Sequence, residues 1–176
     1  VLSTLPRRLT GDGLAEVIKH AIGQDPGYVE MLLAHTGDPA DIDFLERTVR
    51  RNVELKCRLS ASDPRELREA MVLQYGHTVG HPVEHLSGYT LYHGEAVAIG
   101  MVVAARVARI LGACDDDLVR LHVRLCERFG LPTAVPAEIR TADIVDALRY
   151  NKKFLTEGTR MALLRGVGEL WNVDGD

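Results

Sequence analysis

The stretch HGEAVAIGMVVAARVARILG, residues 93–112, decides the class of this chain. From Ala96 to Ala105 every residue is apolar or glycine, and Arg106 and Arg109 then close the run. Such a run is about half of what a bilayer-crossing helix needs, so it reads as a helix buried in protein. The helix is expected over about Gly94 to Leu111, with Gly112 as its stop.

A buried helix needs amphipathic partners, and the flanking sequence supplies them. Leu14, Val17, Ile18, Ala21 and Ile22 recur at helical spacing between Thr10-Gly11-Asp12-Gly13 and Gly23, which predicts a helix over roughly Gly13 to Ile22. Further helices are expected over Tyr28 to Ala34, about Pro39 to Leu59, from Asp115 as cap to about Phe129, and from Thr141 as cap through Tyr150. Asp63, in the turn at residues 60–64, is placed to cap the next element. Leu67, Met71, Val72, Tyr75, Val79 and Val83 make Arg65 to Leu86 a helical pattern, interrupted by Gly76, Gly80 and Pro82. Glycines at 76 and 80 clear one stripe for the close approach of another backbone or of a ligand. Met161 to Leu164 and Glu169 to Val173 read as short strands or extended segments. The expected fold is mainly α, in one domain, with a short β hairpin or extended segment near the C-terminus.

Composition narrows the function. The chain has 176 residues, 46% of them hydrophobic, enough for one sizeable core. Lys and Arg number 21 against 25 Asp and Glu, for a net charge of −4, so no positive excess exists to neutralise a nucleic-acid backbone. Neither nucleic acid nor membrane is an expected partner. Cys57, Cys114 and Cys126 form no CxxC pair and are odd in number, which suits a reducing cytoplasm. The chain begins at Val1 without Met, signal or transit pattern, as a piece cut from a longer polypeptide would.

Two groups of residues carry chemistry. In Tyr75-Gly76-His77-Thr78-Val79-Gly80-His81 the two histidines stand four apart, on one face of a helix, and Tyr92-His93-Gly94-Glu95 offers a third imidazole at a loop-to-helix junction. Such a cluster suits Zn²⁺ or Co²⁺ if a carboxylate completes it, although an interior histidine satisfied by its neighbours would leave the same pattern. In Ala15-Glu16-Val17-Ile18-Lys19-His20, Glu16 and Lys19 share a helix face with apolar neighbours, and by themselves they also fit a solvated ion pair.

Ala15-Glu16-Val17-Ile18-Lys19, Gly76-His77-Thr78-Val79-Gly80-His81 with Glu84, His93-Gly94-Glu95-Ala96-Val97-Ala98-Ile99-Gly100-Met101 and Asn151-Lys152-Lys153, in that order, resemble the sugar-phosphate cyclases of the dehydroquinate synthase family. The resemblance covers essentially the whole chain but only the family's C-terminal, helical, metal-binding domain. It therefore implies residues 1–176 as that domain, with an N-terminal NAD-binding domain absent from this chain. It implies Glu16, His77 and His93 as metal ligands, and Lys19, Lys56 and His81 as catalytic residues, His81 beside the leaving phosphate. Lys152 and Lys153 stand where the family carries Asp-Lys-Lys, one lysine of which reaches the phosphate; Asn151 replaces the Asp. Zn²⁺ or Co²⁺ and NAD are the implied cofactors, a sugar phosphate the implied substrate and a homodimer the implied assembly.

Two departures bear on substrate. Dehydroquinate synthases place an Arg seven residues before the first metal-binding His and an Asn three before it; this chain has Ala70 and Gln74. The Arg helps to clamp a substrate carboxylate, which a methyl group does not do. Gln74 and Glu69 are the expected substrate contacts in its place, Glu69 only if its register turns it inward. A cyclase without the clamp should prefer a substrate without a carboxylate. Glucose 6-phosphate, converted to 2-deoxy-scyllo-inosose and phosphate in aminoglycoside biosynthesis, is the reading this favours. The alternatives are 3-dehydroquinate synthase of the shikimate pathway, a valiolone-type cyclase using a heptulose phosphate, a metal-dependent alcohol dehydrogenase, and a non-catalytic metal-binding helical module. This chain alone is expected to be inactive.

Overall fold

The computed structural model describes residues 2–65, 69–150 and 161–171. Seven helices and one hairpin are seen among them: α1 (Arg7–Gln24), α2 (Pro26–Ala34), α3 (Ile42–Ser62), α4 (His77–Leu86), α5 (His93–Ile110), α6 (Asp116–Arg128), α7 (Thr141–Tyr150), β1 (Leu163–Gly166) and β2 (Glu169–Trp171). Short 3₁₀ turns occupy Leu2–Thr4 and Glu69–Gln74. The long apolar run is α5, the axis of the domain. Ala96, Val97, Ala98, Ile99, Met101, Val102, Ala104 and Ala108 on it are fully buried, and it packs against α4, α1, α6 and β1. No helix among the described residues is long and apolar enough to cross a membrane.

Local chemistry explains most boundaries. Asp25, Asp41 and Asp115 accept amide hydrogen bonds at the starts of α2, α3 and α6, as N-cap carboxylates do. Asp63 accepts from the Ala70 amide at 3.2 Å and so does serve the turn after it. Thr141 is the first residue of α7 rather than a cap before it. β1 and β2 pair antiparallel through a turn with Gly168 at φ +78°. The end of the expected second strand, at Val173, lies outside the described residues.

Two expectations are corrected. The first helix starts at Arg7, behind Pro6, and runs straight through Gly11 and Gly13. Gly11 is buried within the helix, with the Phe129 carbonyl oxygen 3.2 Å from where its Cβ would stand, so the close approach favours a glycine there. The pattern from Arg65 to Leu86 is not one helix. A 3₁₀ turn ends at Gln74, Gly76 takes a left-handed φ of +81°, and α4 starts afresh at His77.

The glycine stripe admits another backbone. A Cβ on Gly80 would lie 3.1 Å from the Ala96 carbonyl oxygen, and one on Gly100 would overlap the Gly76 carbonyl and approach the Gly80 nitrogen to 2.9 Å. Gly100→Ala should therefore push α4 from α5 and cost about 3 kcal/mol or more, the upper end of overpacking. Gly13→Ala, with nothing within 4 Å of its Cβ, should instead gain about 0.4–1 kcal/mol. Urea denaturation of both variants checks this; equal stabilities would refute the tight α4–α5 contact.

A buried dyad also joins Tyr75 to α6. Tyr75 and His122 are fully buried, the Tyr75 hydroxyl donating to His122 Nε2 at 2.8 Å while His122 Nδ1 donates to the Leu118 carbonyl at 2.7 Å. Burial pushes the His122 pKa down to about 4. The unfolded chain, with an imidazole near 6.5, then binds one proton more between about pH 6.5 and pH 4. The contribution of His122 to stability is complete above that window and falls by about 3 kcal/mol as pH drops through it. A His122→Gln variant should lose up to about 1.4 kcal/mol less per pH unit there than the unmodified protein. Parallel stability curves for the two would contradict this.

Candidate metal centre

Three chain segments converge on one point. Glu16 comes from the middle of α1, His77 from the first residue of α4 and His93 from the first residue of α5. Glu16 Oε1 lies 3.5 Å from His77 Nε2 and 3.9 Å from His93 Nε2. Ligand atoms about 2.1 Å from a tetrahedral ion stand about 3.4 Å from one another, so these gaps suit one ion between the side chains.

Each side chain is oriented from behind. Lys19, buried on the same helix, donates to Glu16 Oε2 at 2.6 Å and to the Leu73 carbonyl at 2.8 Å. Glu16 is therefore held by one oxygen while the other, Oε1, is buried and accepts no hydrogen bond among the described residues. An orphaned carboxylate oxygen facing two imidazole nitrogens is a donor set that a divalent cation satisfies. His77 Nδ1 donates to the Tyr75 carbonyl at 3.1 Å, and His93 Nδ1 donates to Glu84 Oε2 at 3.1 Å. A carbonyl and a carboxylate only accept, so Nδ1 is the donor in both rings and Nε2 is the nitrogen turned inward, the usual outer-shell arrangement behind metal-bound histidines.

Electrostatics agree with this assignment. Burial works against the Glu16 charge, but the adjacent Lys19 ammonium more than offsets it and holds the carboxyl below its ordinary range. Burial, reinforced by Lys19, lowers the His77 pKa to about 4, so the ring is neutral at pH 7 as a ligand must be. His20, one residue beyond Lys19, is pushed to about 4 by burial and by Lys19, with a smaller contribution from Lys56.

The remaining sequence candidates are placed unequally. His81 joins the cluster: ligand atoms of His77, His81 and His93 all lie within 4.8 Å of one another, and its ring centroid is 5.1 Å from that of His77. It is exposed, one turn along α4. Lys56 is exposed on α3, within electrostatic reach of His20. Gln74 is half-buried at the end of the 3₁₀ turn, next to Leu73, whose carbonyl holds Lys19. Glu69 is exposed, at the start of the 3₁₀ turn. Ala70 beside it is fully buried and part of the main core. Lys152 and Lys153 lie outside the described residues.

Sequence reasoning assigns no role to Glu84 or Asp12. Glu84 stands seven residues after His77 on the same face of α4, the one local signal that marks it as a candidate. Asp12 stands one turn before Glu16, and its Oδ1 accepts from the Gly94 and Glu95 amides at 2.6 and 3.2 Å.

Residues 13–154 match the family described as 3-dehydroquinate synthase C-terminal. The chain belongs to that family. A 3-dehydroquinate synthase of Pelobacter propionicus is 43% identical over 96% of this chain, and a 2-deoxy-scyllo-inosose synthase of Streptoalloteichus tenebrarius is 39% identical over 99% of it. In both cases the match takes in 47% of the relative, so the chain spans about half the length of these curated relatives. The fold matches a crystal structure of 2-deoxy-scyllo-inosose synthase complexed with carbaglucose-6-phosphate, NAD⁺ and Co²⁺, with TM-score 0.80 and 22% identity over 98% of this chain and 49% of that one. It also matches 2-epi-5-epi-valiolone synthase of Streptomyces hygroscopicus with NAD⁺ and Zn²⁺ bound, with TM-score 0.77 and 24% identity over 99% of this chain and 49% of that one. The expected mainly α, dehydroquinate-synthase-like fold with a C-terminal hairpin is the one observed.

Proposed function

We propose that this chain is the metal-bearing half of a sugar-phosphate cyclase that converts glucose 6-phosphate to 2-deoxy-scyllo-inosose and phosphate. It would act with an N-terminal NAD-binding domain of the same protein, as a homodimer. The observation that carries the substrate choice is Ala70: at the position that the resemblance gives to a carboxylate-clamping arginine, this chain has a methyl group. The relative from Streptoalloteichus tenebrarius supports the same choice. A second reading, 3-dehydroquinate synthase, is favoured by the 43% identical relative from Pelobacter propionicus.

In this reading Glu16, His77 and His93 would hold Zn²⁺ or Co²⁺, which supplies Lewis acidity to the substrate hydroxyl being oxidised by NAD. Lys19 keeps Glu16 ionised and fixes which of its oxygens faces the histidines. Glu84 and the Tyr75 carbonyl set the inward lone pairs of His93 and His77. His81, exposed at the edge of the cluster, would stand beside the departing phosphate with Lys152 or Lys153, and Lys56 and Gln74 would orient sugar hydroxyls. The chain supplies position and field, and the nicotinamide supplies the hydride chemistry.

Phosphate release by the protein joined to its NAD-binding domain tests the proposal, with glucose 6-phosphate, a heptulose phosphate and the carboxylated seven-carbon phosphate as substrates. Release from glucose 6-phosphate is the expected result. Release from none of them, with metal bound, would favour a non-catalytic metal-binding module.

A further inference from the structure

We propose that Asp12 is a positioning residue for the metal centre, the group that fixes His93 against Glu16. This rests on the reading of Glu16, His77 and His93 as ligands. Helices α2, α3 and α6 are each capped by the aspartate that precedes them, Asp25, Asp41 and Asp115. The amides of Gly94 and Glu95 in the first turn of α5 go instead to Asp12 Oδ1, a carboxylate more than 80 residues upstream, on another helix. Asp12 thus does for α5 what an N-cap residue does, from outside the segment.

Its place on α1 gives the contact its meaning. Arg8, Asp12 and Glu16 stand at four-residue intervals, on one face of the helix. Arg8 clasps Glu95 with two hydrogen bonds of 2.7 and 2.6 Å, donates to the Thr90 carbonyl at 2.8 Å and lies 3.9 Å over the Tyr92 ring. Asp12 takes the two amides that come after His93. Glu16 then faces the His93 ring across the site. One stripe of one helix therefore holds the approach to His93, its backbone and its partner ligand, and a single turn of α1 sets the distance between the two ligands.

The approach is close by construction. A Cβ on Gly94 would overlap the Asp12 backbone carbonyl and lie 2.8 Å from Asp12 Oδ1, so this junction of α1 and α5 admits glycine alone. The His93 ring is 44% exposed and is steadied by Glu84, so its location depends on the backbone beneath it. Loss of the Asp12 carboxylate would free that backbone while leaving all three ligands in the sequence.

The test compares Asp12→Ala with Asp12→Asn, which keeps an oxygen acceptor, and with Asp115→Ala, which removes a cap of the same kind from α6. Co²⁺ affinity, the Co²⁺ visible spectrum and amide exchange in the metal-free protein are measured for each. Asp12→Ala should weaken Co²⁺ binding by about 10–100-fold, the usual effect of losing an outer-shell partner, and alter the spectrum. Asp12→Asn should recover most of the affinity. Asp115→Ala should lower thermal stability but leave Co²⁺ affinity within about twofold, since it touches no outer-shell group. Exchange at Gly94 and Glu95 should accelerate in Asp12→Ala and not in Asp115→Ala. Equal Co²⁺ affinities in Asp12→Ala and Asp115→Ala, or unchanged exchange at those amides, would overturn the proposal. If the unmodified protein takes up no Co²⁺, the ligand assignment fails instead, and the exchange data still decide whether Asp12 holds the start of α5.

Discussion

His77→Ala is expected to lower Co²⁺ affinity by more than about 100-fold, beyond the roughly tenfold to hundredfold loss that comes from removing an outer-shell partner. The ring is one of three inward donors, and its removal leaves Glu16 Oε1 with His93 alone at 3.9 Å. Glu16→Gln should fall nearly as far, because it removes the one negative charge that faces both imidazoles. His81→Ala is the informative comparison. His81 stands close enough to His77 and His93 to make a three-histidine site, but such a set would leave the buried Glu16 oxygen without a partner and supply no anionic ligand. Affinity within about threefold of the unmodified protein is therefore expected for His81→Ala, as for a group outside both the ligand set and its outer shell. Calorimetric titration of the variants with Co²⁺ checks all three. Loss of metal in His81→Ala with retention in Glu16→Gln would reverse the assignment.

The second large effect is in substrate choice. A bidentate contact between a guanidinium and a carboxylate contributes about 1.5–3 kcal/mol, or roughly 10- to 150-fold in affinity. On the proposed reading, with Ala70 in that place, kcat/KM of the protein joined to its NAD-binding domain should be at least about tenfold lower for the carboxylated seven-carbon phosphate than for glucose 6-phosphate. The reverse preference would make the protein a 3-dehydroquinate synthase and require another cation to take the carboxylate. On sequence grounds, Ala70→Arg is the natural way to restore the clamp. The structure opposes it, since the Ala70 methyl is fully enclosed in the core and a guanidinium there would be buried without a carboxylate partner. That variant should lose stability before it gains specificity, so the comparison belongs on the unmodified protein.

How much of the fold is legible in the sequence depends on where the information lies. α5 and α6 are readable because an apolar period or an aspartate cap marks them locally, at Ala96 to Ala105 and at Asp115. The start of α1 is not, because Gly11 looks like a helix breaker, whereas it is buried inside the helix close to the Phe129 carbonyl, a tertiary contact without a local trace. The break at Gly76 is suggested by its glycine, but the left-handed turn that starts α4 at His77 is hidden under a continuous apolar period. Glu16, His77 and His93 can be named because they sit in recognisable motifs. Asp12 and Glu84 cannot be assigned from sequence, because their partners are amides and a ring nitrogen on another helix, and one helix face carries no record of its register against the next. The register of Glu69 is hidden for a related reason: it stands in a 3₁₀ turn rather than in the α-helix its spacing suggests.

The central claim is that Glu16, His77 and His93 together hold one divalent ion. Anomalous diffraction from crystals of the protein grown with Co²⁺ tests it most directly. The expected result is a single strong peak about 2.0–2.2 Å from Glu16 Oε1, His77 Nε2 and His93 Nε2, with His81 outside the coordination sphere. A peak bound by His77, His81 and His93 with Glu16 turned away, or no peak between the three residues at full Co²⁺ occupancy elsewhere, would contradict it.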